Sequence, residues 1–439
     1  MDSPLDFWAG LPAVVQDAAT VVLLLLPGLV TGVLVLRGFA PGRLVRAMLR
    51  RFSVVNAVFV GLIAVSVAIG IGLTAQERGL RQGSARAAAA FDLILAAPGS
   101  EITLMFAAVY LQPSDVPLLT SAQYAEVAAD PDVAFAAPIA FGDTYLGAPV
   151  VGTTAEFVTH LAGPLLEGQM FTTASEAVAG AFVPIATGET FSPAHGHGPA
   201  AEEDAHHGAA YTVTGRMAPT GSPWDRAILV PVEGVWEVHG LANGHAPSAG
   251  NRIGPPFDAA YFPGTPAILV RADALWGNYA LQSRYTRADM MAFFPGTVLA
   301  QLHGLMRDIR EAMSLMAVVT QVLVTVSILA GLMILTRIFA RGLALLRAIG
   351  AGRRFVFAVV WSYSATLIAA GSVIGLALGW LAAIGFSRVI TARTDVLVTA
   401  TVSWTEVQLV AGFVSLTLLL ALLPALAATR RPLLTDLRS

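Results

Sequence analysis

Five long stretches of the chain carry no charged side chain: Ala18–Leu36, Phe52–Gln76, Ala312–Thr336, Phe355–Ser387 and Val407–Thr429. A helix crosses the hydrocarbon core of a bilayer with about 20 apolar residues, so each stretch predicts a transmembrane helix. Ala18–Leu36 is the shortest and contains Pro27, which a helix in lipid accommodates by local rearrangement. "GRLVRAMLRRF" (Gly42–Phe52) has a different pattern. Leu44, Val45, Met48, Leu49 and Phe52 share one helical face and Arg43, Arg46 and Arg50 lie largely on another, which predicts an amphipathic helix at the membrane surface. From Glu77 to Glu311 the pattern becomes that of a folded polar-surfaced domain. Short runs such as "FDLILAAP", "APVVGTT", "YTVTGRMAP", "RAILVPV" and "PAILVRA" predict strands, and "SAQYAEVAADPDV" predicts a helix. Helical patterns also lead out of the second stretch ("AQERGLRQGSARAAAAF") and into the third ("PGTVLAQLHGLMRDIREAM"). Pro295 suits the first turn of the latter, where its missing N–H has no helical partner.

Composition agrees. Of 439 residues, 56% are hydrophobic and only 13% charged, against about 25% charged in a soluble domain. The expected fold class is a membrane protein with an all-α transmembrane sector of about five helices and a large mixed α+β extracytoplasmic domain on helical stalks. The arginines orient it. Arg37, Arg43, Arg46, Arg50 and Arg51 follow the first stretch, Arg337, Arg341, Arg347, Arg353 and Arg354 follow the third, and Arg430, Arg431 and Arg438 follow the last. Placing these three segments in the cytoplasm satisfies the positive-inside rule and leaves Asp436 as the single acid there. The expected order is an external tail (1–17), a retained helix (18–36), a cytoplasmic amphipathic helix (37–51), a span (52–76), the external domain (77–311) and a span (312–336). A cytoplasmic loop (337–354), a span (355–387), an external loop (388–406), a last span (407–429) and a cytoplasmic tail (430–439) complete it.

Several chemistries are set aside by the residues. There is no cysteine, hence no disulfide or thiolate metal site, and all 26 basic residues are arginine, so the lysine of an ATP-hydrolysing P-loop is missing. No basic, aromatic-interleaved patch for nucleic acid occurs outside the membrane-flanking arginines, and no hydrolase motif appears. "APTGSPWDRAILVP" reads as a turn followed by a strand, with Asp225 and Arg226 in the turn. The four main stretches hold no Asp, Glu, Arg or His, which argues against ion-coupled transport. Gly371, Gly375 and Gly379 repeat at the small-xxx-small spacing that lets helices approach closely. The segment Ser192–Gly208 concentrates His195, His197, His206 and His207 with Glu202, Glu203 and Asp204, a donor set suited to zinc. A solvated loop is the alternative.

Between the third and fourth spans, "RGLALLRAIGAGRRF" predicts a short helix over Ala344–Ile349, stopped near Gly350 and Gly352. "ALLRAIGAGRRFVFAVV" resembles the signature loop of the FtsX-like, or MacB-type, ABC transporter permeases, and the C-terminal "RRPLLTDLR" is similar to that family's basic tail. "AAFDLILAAPGS" and "VVGTT" look like the opening strands of a MacB-type periplasmic domain. Two departures stand out: Ala18–Leu36 is an extra helix, and where the family often carries Glu this chain has "RGLA" and Tyr363. The resemblance implies a multi-pass permease of the bacterial inner membrane, with a periplasmic domain, that is not itself an enzyme. It would dimerise with a second copy or a paralogue and act with a periplasmic or lipoprotein partner. A separate cytoplasmic ABC ATPase dimer would dock on Ala344, Leu345, Leu346, Arg347, Ala348, Ile349, Gly350, Arg353 and Arg354. ATP hydrolysis would then reshape the periplasmic domain to export or extract an envelope substrate, without a catalytic cofactor in this chain. A membrane-anchored zinc-binding or sensing protein, a permease linked to zinc homeostasis, and a secondary transporter are the other readings.

Overall fold

The computed structural model describes residues 8, 10–112, 114–195, 210–305, 307–394, 397–399 and 401–430. They fall into two compact units, one of Met1–Gly79, Asp308–Arg388 and Thr399–Ser439, the other of Leu80–Arg307 and Val389–Val398.

The first unit is helical. Its helices are α1 (Ala13–Leu36), α2 (Gly42–Arg51), α3 (Ser53–Ala88), α4 (Arg307–Ile338), α5 (Ala340–Ala348), α6 (Arg353–Thr394), α7 (Trp404–Leu420) and α8 (Leu422–Thr429), and the ends of α3 and α6 belong to the second unit. Among the described residues, five stretches are long and apolar enough to cross a membrane: Ala13–Leu36, Ser53–Ala88, Gln321–Ile338, Arg353–Ala392 and Trp404–Thr429. The helices continue past the uncharged runs, to Ala88 in α3 and Thr394 in α6. A shared core explains their association. Ile63, Val67 and Ile71 of α3 are buried together with Ile328 and Leu332 of α4 and with Val360, Leu367 and Ile368 of α6. The contact of α3 with α6 is unusually close. A Cβ added at Gly371 would lie 2.6 Å from Ile63 Cβ, at Gly375 2.7 Å from the Ala64 carbonyl oxygen, and at Gly379 2.8 Å from Ile71 Cβ. Only hydrogen at these three positions allows the approach.

α1 is fastened in the same way. A Cβ on Gly28 would meet Leu418 at 3.0 Å and the Ser415 backbone at 3.2 Å, and the Gly28 N–H donates to Ser415 Oγ at 3.0 Å. This donor follows Pro27, the one proline inside α1. α7 begins at a capping box in which Ser403 and Glu406 satisfy each other's backbone, and the buried Glu406 carboxylate also accepts from the Arg78 guanidinium. α2 is amphipathic as its spacing requires: Val45 is buried, Leu44, Met48 and Leu49 are half-buried, and Arg43, Arg46, Arg50 and Arg51 are exposed.

The second unit is mixed α and β. Its strands are β1 (Leu93–Ala96), β2 (Val133–Pro138), β3 (Ala140–Tyr145), β4 (Ala148–Thr153), β5 (Glu167–Gly168), β6 (Glu176–Ala179), β7 (Thr190–Phe191), β8 (Ala194–His195), β9 (Tyr211–Arg216), β10 (Ile228–Pro231), β11 (Ala267–Ala272) and β12 (Met291–Phe293). Four form a sheet in the order β12-β1-β11-β2; the other sheet runs β5-β9-β6-β10-β4-β3-β8, with β7 also on β9. β10 with β4 and β6 with β9 are parallel pairs and the rest are antiparallel. Side chains alternate between sheet faces, and here both faces are covered. Leu93 and Leu95 of β1, with Ile268 and Val270 of β11 and Ile228 and Val230 of β10, enter one buried cluster. Ile94, Leu269 and Leu229, the residues between them, enter another. Strands buried on both sides read as continuous apolar runs, which is why "LILA" and "ILVP" show no polar alternation.

Helices close both layers. Glu101–Ala108, Ala155–Ala162 and Pro295–Leu305 supply Met105, Phe157 and Val298 to the second cluster. Ser121–Ala128, Val232–Val238 and Leu275–Tyr285 supply Tyr124, Trp236 and Leu281 to the first. Their starts follow capping chemistry. Ser100 accepts from the Thr103 N–H, Thr120 and Gln123 form a capping box, Thr154 accepts from the Phe157 N–H, and Pro295 opens its helix. Asp225 sits in a short 3-10 turn before β10, accepting from the Thr220 and Gly221 amides at 2.7 Å each. It is a turn scaffold.

Candidate functional site

The arginine-rich loop folds as α5, which starts at Ala340, four residues before the expected helix. The early start follows from packing, because Phe339, Ala340, Leu343 and Ala344 are buried in the core of the first unit. Phe339 stacks edge-on against Phe52 at 4.9 Å and against Tyr363 at 5.3 Å. The Tyr363 hydroxyl donates to Asn56 Oδ1, and the Asn56 amide donates to the Leu49 carbonyl at 2.9 Å. The tyrosine that stands where the resemblance led one to look for Glu therefore ties α6 to the junction of α2 and α3.

The end of α5 is equally defined. Gly350 has φ 103°, a left-handed conformation that suits glycine. The Gly350 N–H donates to the Arg347 carbonyl at 3.2 Å and the Ala351 N–H to the Leu346 carbonyl at 2.9 Å. These are the two bonds of a Schellman stop. What α5 leaves outside is apolar: Leu345 is 53% exposed and Ile349 82% exposed, with Ala348 exposed between them. Leu346 is half-buried and packs on the unit's own core. Arg347 is half-buried, and Arg341, Arg353 and Arg354 are exposed. Arg353 and Arg354 occupy the first turn of α6, where the helix dipole disfavours positive charge. The loop is an exposed hydrophobic ridge in a basic frame, on a rigid base.

Of the four candidate metal-binding histidines, His195 ends β8 and is paired in register with Asp143 of β3; His197, His206 and His207 lie outside the described residues. Among the described residues, no three of His, Asp and Glu converge as a metal cage. Three histidine–carboxylate pairs do form among the described residues, the loosest being His160 Nε2 with Asp92 Oδ2 at 3.9 Å. His245 Nε2 lies 3.3 Å from Glu233 Oε1, both side chains being 2% exposed, and the Gly254 N–H donates to the same oxygen at 2.6 Å. Burial pushes the Glu233 carboxyl above its ordinary value, against the pull of those donors and of His245. His239 Nε2 lies 3.6 Å from Asp143 Oδ1, whose side chain is 2% exposed. None of the three pairs is legible in the sequence pattern. Gly142 inside a strand pattern is the one local hint, since an isolated strand glycine marks a bulge.

A cavity of about 430 Å³ opens beside Val232–Val238, lined by Tyr211, Gly234, Glu237, Asn243 and Arg252 among others. The Asn243 amide donates to Glu237 Oε1 at 2.9 Å. Burial pushes the Tyr211 hydroxyl far above its ordinary value, and the Asp143 and Glu237 carboxylates add to the shift.

No family model matches the chain, and no curated protein matches it.

Proposed function

We propose that the chain is a membrane-spanning permease subunit driven by a separate cytoplasmic ABC ATPase, of the mechanotransmission kind that the FtsX-like resemblance implies. Its external domain changes shape to export or extract an envelope substrate. Membrane residence is supported by where apolar surface is exposed. Val22, Leu23, Leu29, Val33 and Leu34 of α1, Val54, Val58, Val65 and Ile69 of α3, and Leu315, Val322, Leu323 and Val326 of α4 all present large apolar side chains outward. Water disfavours such surface by about 25 cal/mol per Å², whereas lipid tails do not.

The observation that carries the docking assignment is Ile349, 82% exposed with Leu345 beside it on a helix fixed by its own buried face. An exposed apolar ridge of this kind marks a protein contact, and the surrounding arginines suit an acidic rim on the partner. Docking there would transmit ATPase motion through Phe339 and Tyr363 to α3 and α6.

The test separates docking from folding. Ile349→Asp places a charge in the contact and is expected to abolish stimulation of the co-expressed ATPase, measured as phosphate release in proteoliposomes, with the thermal unfolding midpoint unchanged. Leu343→Asp, at a buried position, is expected to lower that midpoint. Full stimulation by Ile349→Asp would remove α5 as the docking element.

A further inference from the structure

The cavity beside Val232–Val238 holds polar groups that the permease reading leaves unused. Its floor depends on one glycine. A Cβ on Gly234 would lie 2.4 Å from the Ala174 carbonyl oxygen and 3.1 Å from the Tyr211 hydroxyl oxygen. A side chain at 234 would therefore fill the space into which the end of the Tyr211 ring reaches, and both residues line the cavity. Tyr211 is 2% exposed and its ring stacks on Phe191 at 5.5 Å, which fixes its direction. Its hydroxyl has no hydrogen-bond partner among the described residues. Buried hydroxyls are ordinarily paired, so an unpaired one at a cavity wall points to a ligand group.

Two unlike charges face the same space, since Glu237 and Arg252 both line it. The Glu237 carboxylate accepts from the Asn243 amide at 2.9 Å, and the Arg252 guanidinium donates to the Pro255 carbonyl at 3.2 Å. Among the described residues neither is paired with an opposite charge, and they do not pair with each other. Opposite charges that share a cavity without touching are complementary to a molecule carrying both signs. The surroundings give that molecule a direction. Burial and the carboxylates of Asp143 and Glu237 push the Tyr211 hydroxyl far above its ordinary value, so the tyrosine stays neutral and its oxygen sits in a negative field. That end suits a cation, for which hydroxyl and carboxylate oxygens are acceptors. The Arg252 end suits an anion, because a guanidinium holds a carboxylate through parallel N–H···O bonds.

We propose that this cavity binds a small zwitterion, a free α-amino acid or a short peptide, with its ammonium group at Glu237 and Tyr211 and its carboxylate on Arg252. The volume of about 430 Å³ lies at the small end of the range for ligand pockets, about 300–1,000 Å³. Ala174 and Val238 line the remaining wall, so the side chain that fits is small and uncharged. The site lies within the second unit and stands whether or not the chain is a permease.

The experiment uses the full chain, purified in detergent and titrated calorimetrically with L-alanine and with L-alanyl-L-alanine; the tighter of the two identifies the source. N-acetyl-L-alanine, which lacks the ammonium group, and L-alaninamide, which lacks the carboxylate, are expected to bind at least about tenfold more weakly, the scale of one lost charged hydrogen bond. Glu237→Gln and Arg252→Gln are each expected to weaken binding of the parent probe by a similar factor. Both residues are exposed, and an unfolding midpoint equal to that of the native chain checks that the variants fold. Tyr211→Phe is expected to weaken binding less, since it removes a neutral partner; if it fails to fold, the two charge variants carry the test. Absence of binding by both probes overturns the proposal. Equal binding of the blocked analogues, or binding of glucose alone, means a site for neutral ligands and overturns it. Binding unchanged in both charge variants lies elsewhere in the chain and overturns it too.

Discussion

Asp130 shows how one buried charge is kept in the second unit. It accepts from the Arg284 guanidinium, from the Asp132 amide at 3.0 Å and from the Tyr285 hydroxyl at 2.8 Å. Burial alone would raise its pKa, but these donors together hold the carboxyl below its ordinary value. A group with a lowered folded pKa contributes stability that is complete above the ordinary aspartate value, about 3.9, and is lost as pH falls through the folded value. Asp130→Asn is therefore expected to flatten the decline in unfolding midpoint between pH 5 and pH 3; an unchanged slope would remove Asp130 from the acid response. Tyr285→Phe, which deletes one donor to this carboxylate, is expected to cost about 1–2 kcal/mol in a denaturant titration at neutral pH. None of this was legible beforehand, because Asp130 and Tyr285 lie far apart in the chain and meet only through tertiary packing. Asp225 was legible, since glycine, proline and aspartate in close succession are local turn chemistry.

At the scale of elements, charge-free runs and cap residues carried the most information. The five apolar runs are helical almost throughout, except for Phe52 before α3 and the break at Ala421 between α7 and α8, and the Gly350 stop of α5 was readable from a glycine after an amphipathic stretch. The start of α5 was not, because Phe339 and Ala340 are helical on account of what buries them. Gly371, Gly375 and Gly379 could be recognised as a close-packing pattern, but their partner on α3 could not, since many helices offer an Ile-Ala-Val-Ile face. The geometry now gives the seam a measurable consequence. Gly375→Val would drive a branched side chain into the Ala64 carbonyl, 2.7 Å from the position of its Cβ. Overpacking of this sort costs about 1–3 kcal/mol; a lowered unfolding midpoint in detergent is the expected result, and Gly385→Val, at a position with open space around its Cβ, is the control.

For the molecule as a whole, the positive-inside pattern is the quantity to test. A reporter fused after Arg51 or after Arg354 is expected to read as cytoplasmic, and one after Gly208 as external; a cytoplasmic signal at Gly208 would reverse the orientation and, with it, the side on which an ATPase could dock. The mixed class of the second unit was readable from its short apolar runs, but its strand order was not. β4 and β10 pair in parallel across a long intervening segment, and nothing local in "APVVGTT" or "RAILVPV" names the other. The same crossing of the chain carries His239 to Asp143, a pair that no local pattern names.

The contact between Gly28 and Ser415 also has a consequence in time. These residues are 387 positions apart, and at about 5–20 residues per second the ribosome needs on the order of 20–80 s to make the second after the first. Through that interval the Gly28 notch of α1 has no α7 to fill it. Closing the helical unit therefore waits on the synthesis of α7, and a nascent chain stalled before α7 would keep the notch unfilled.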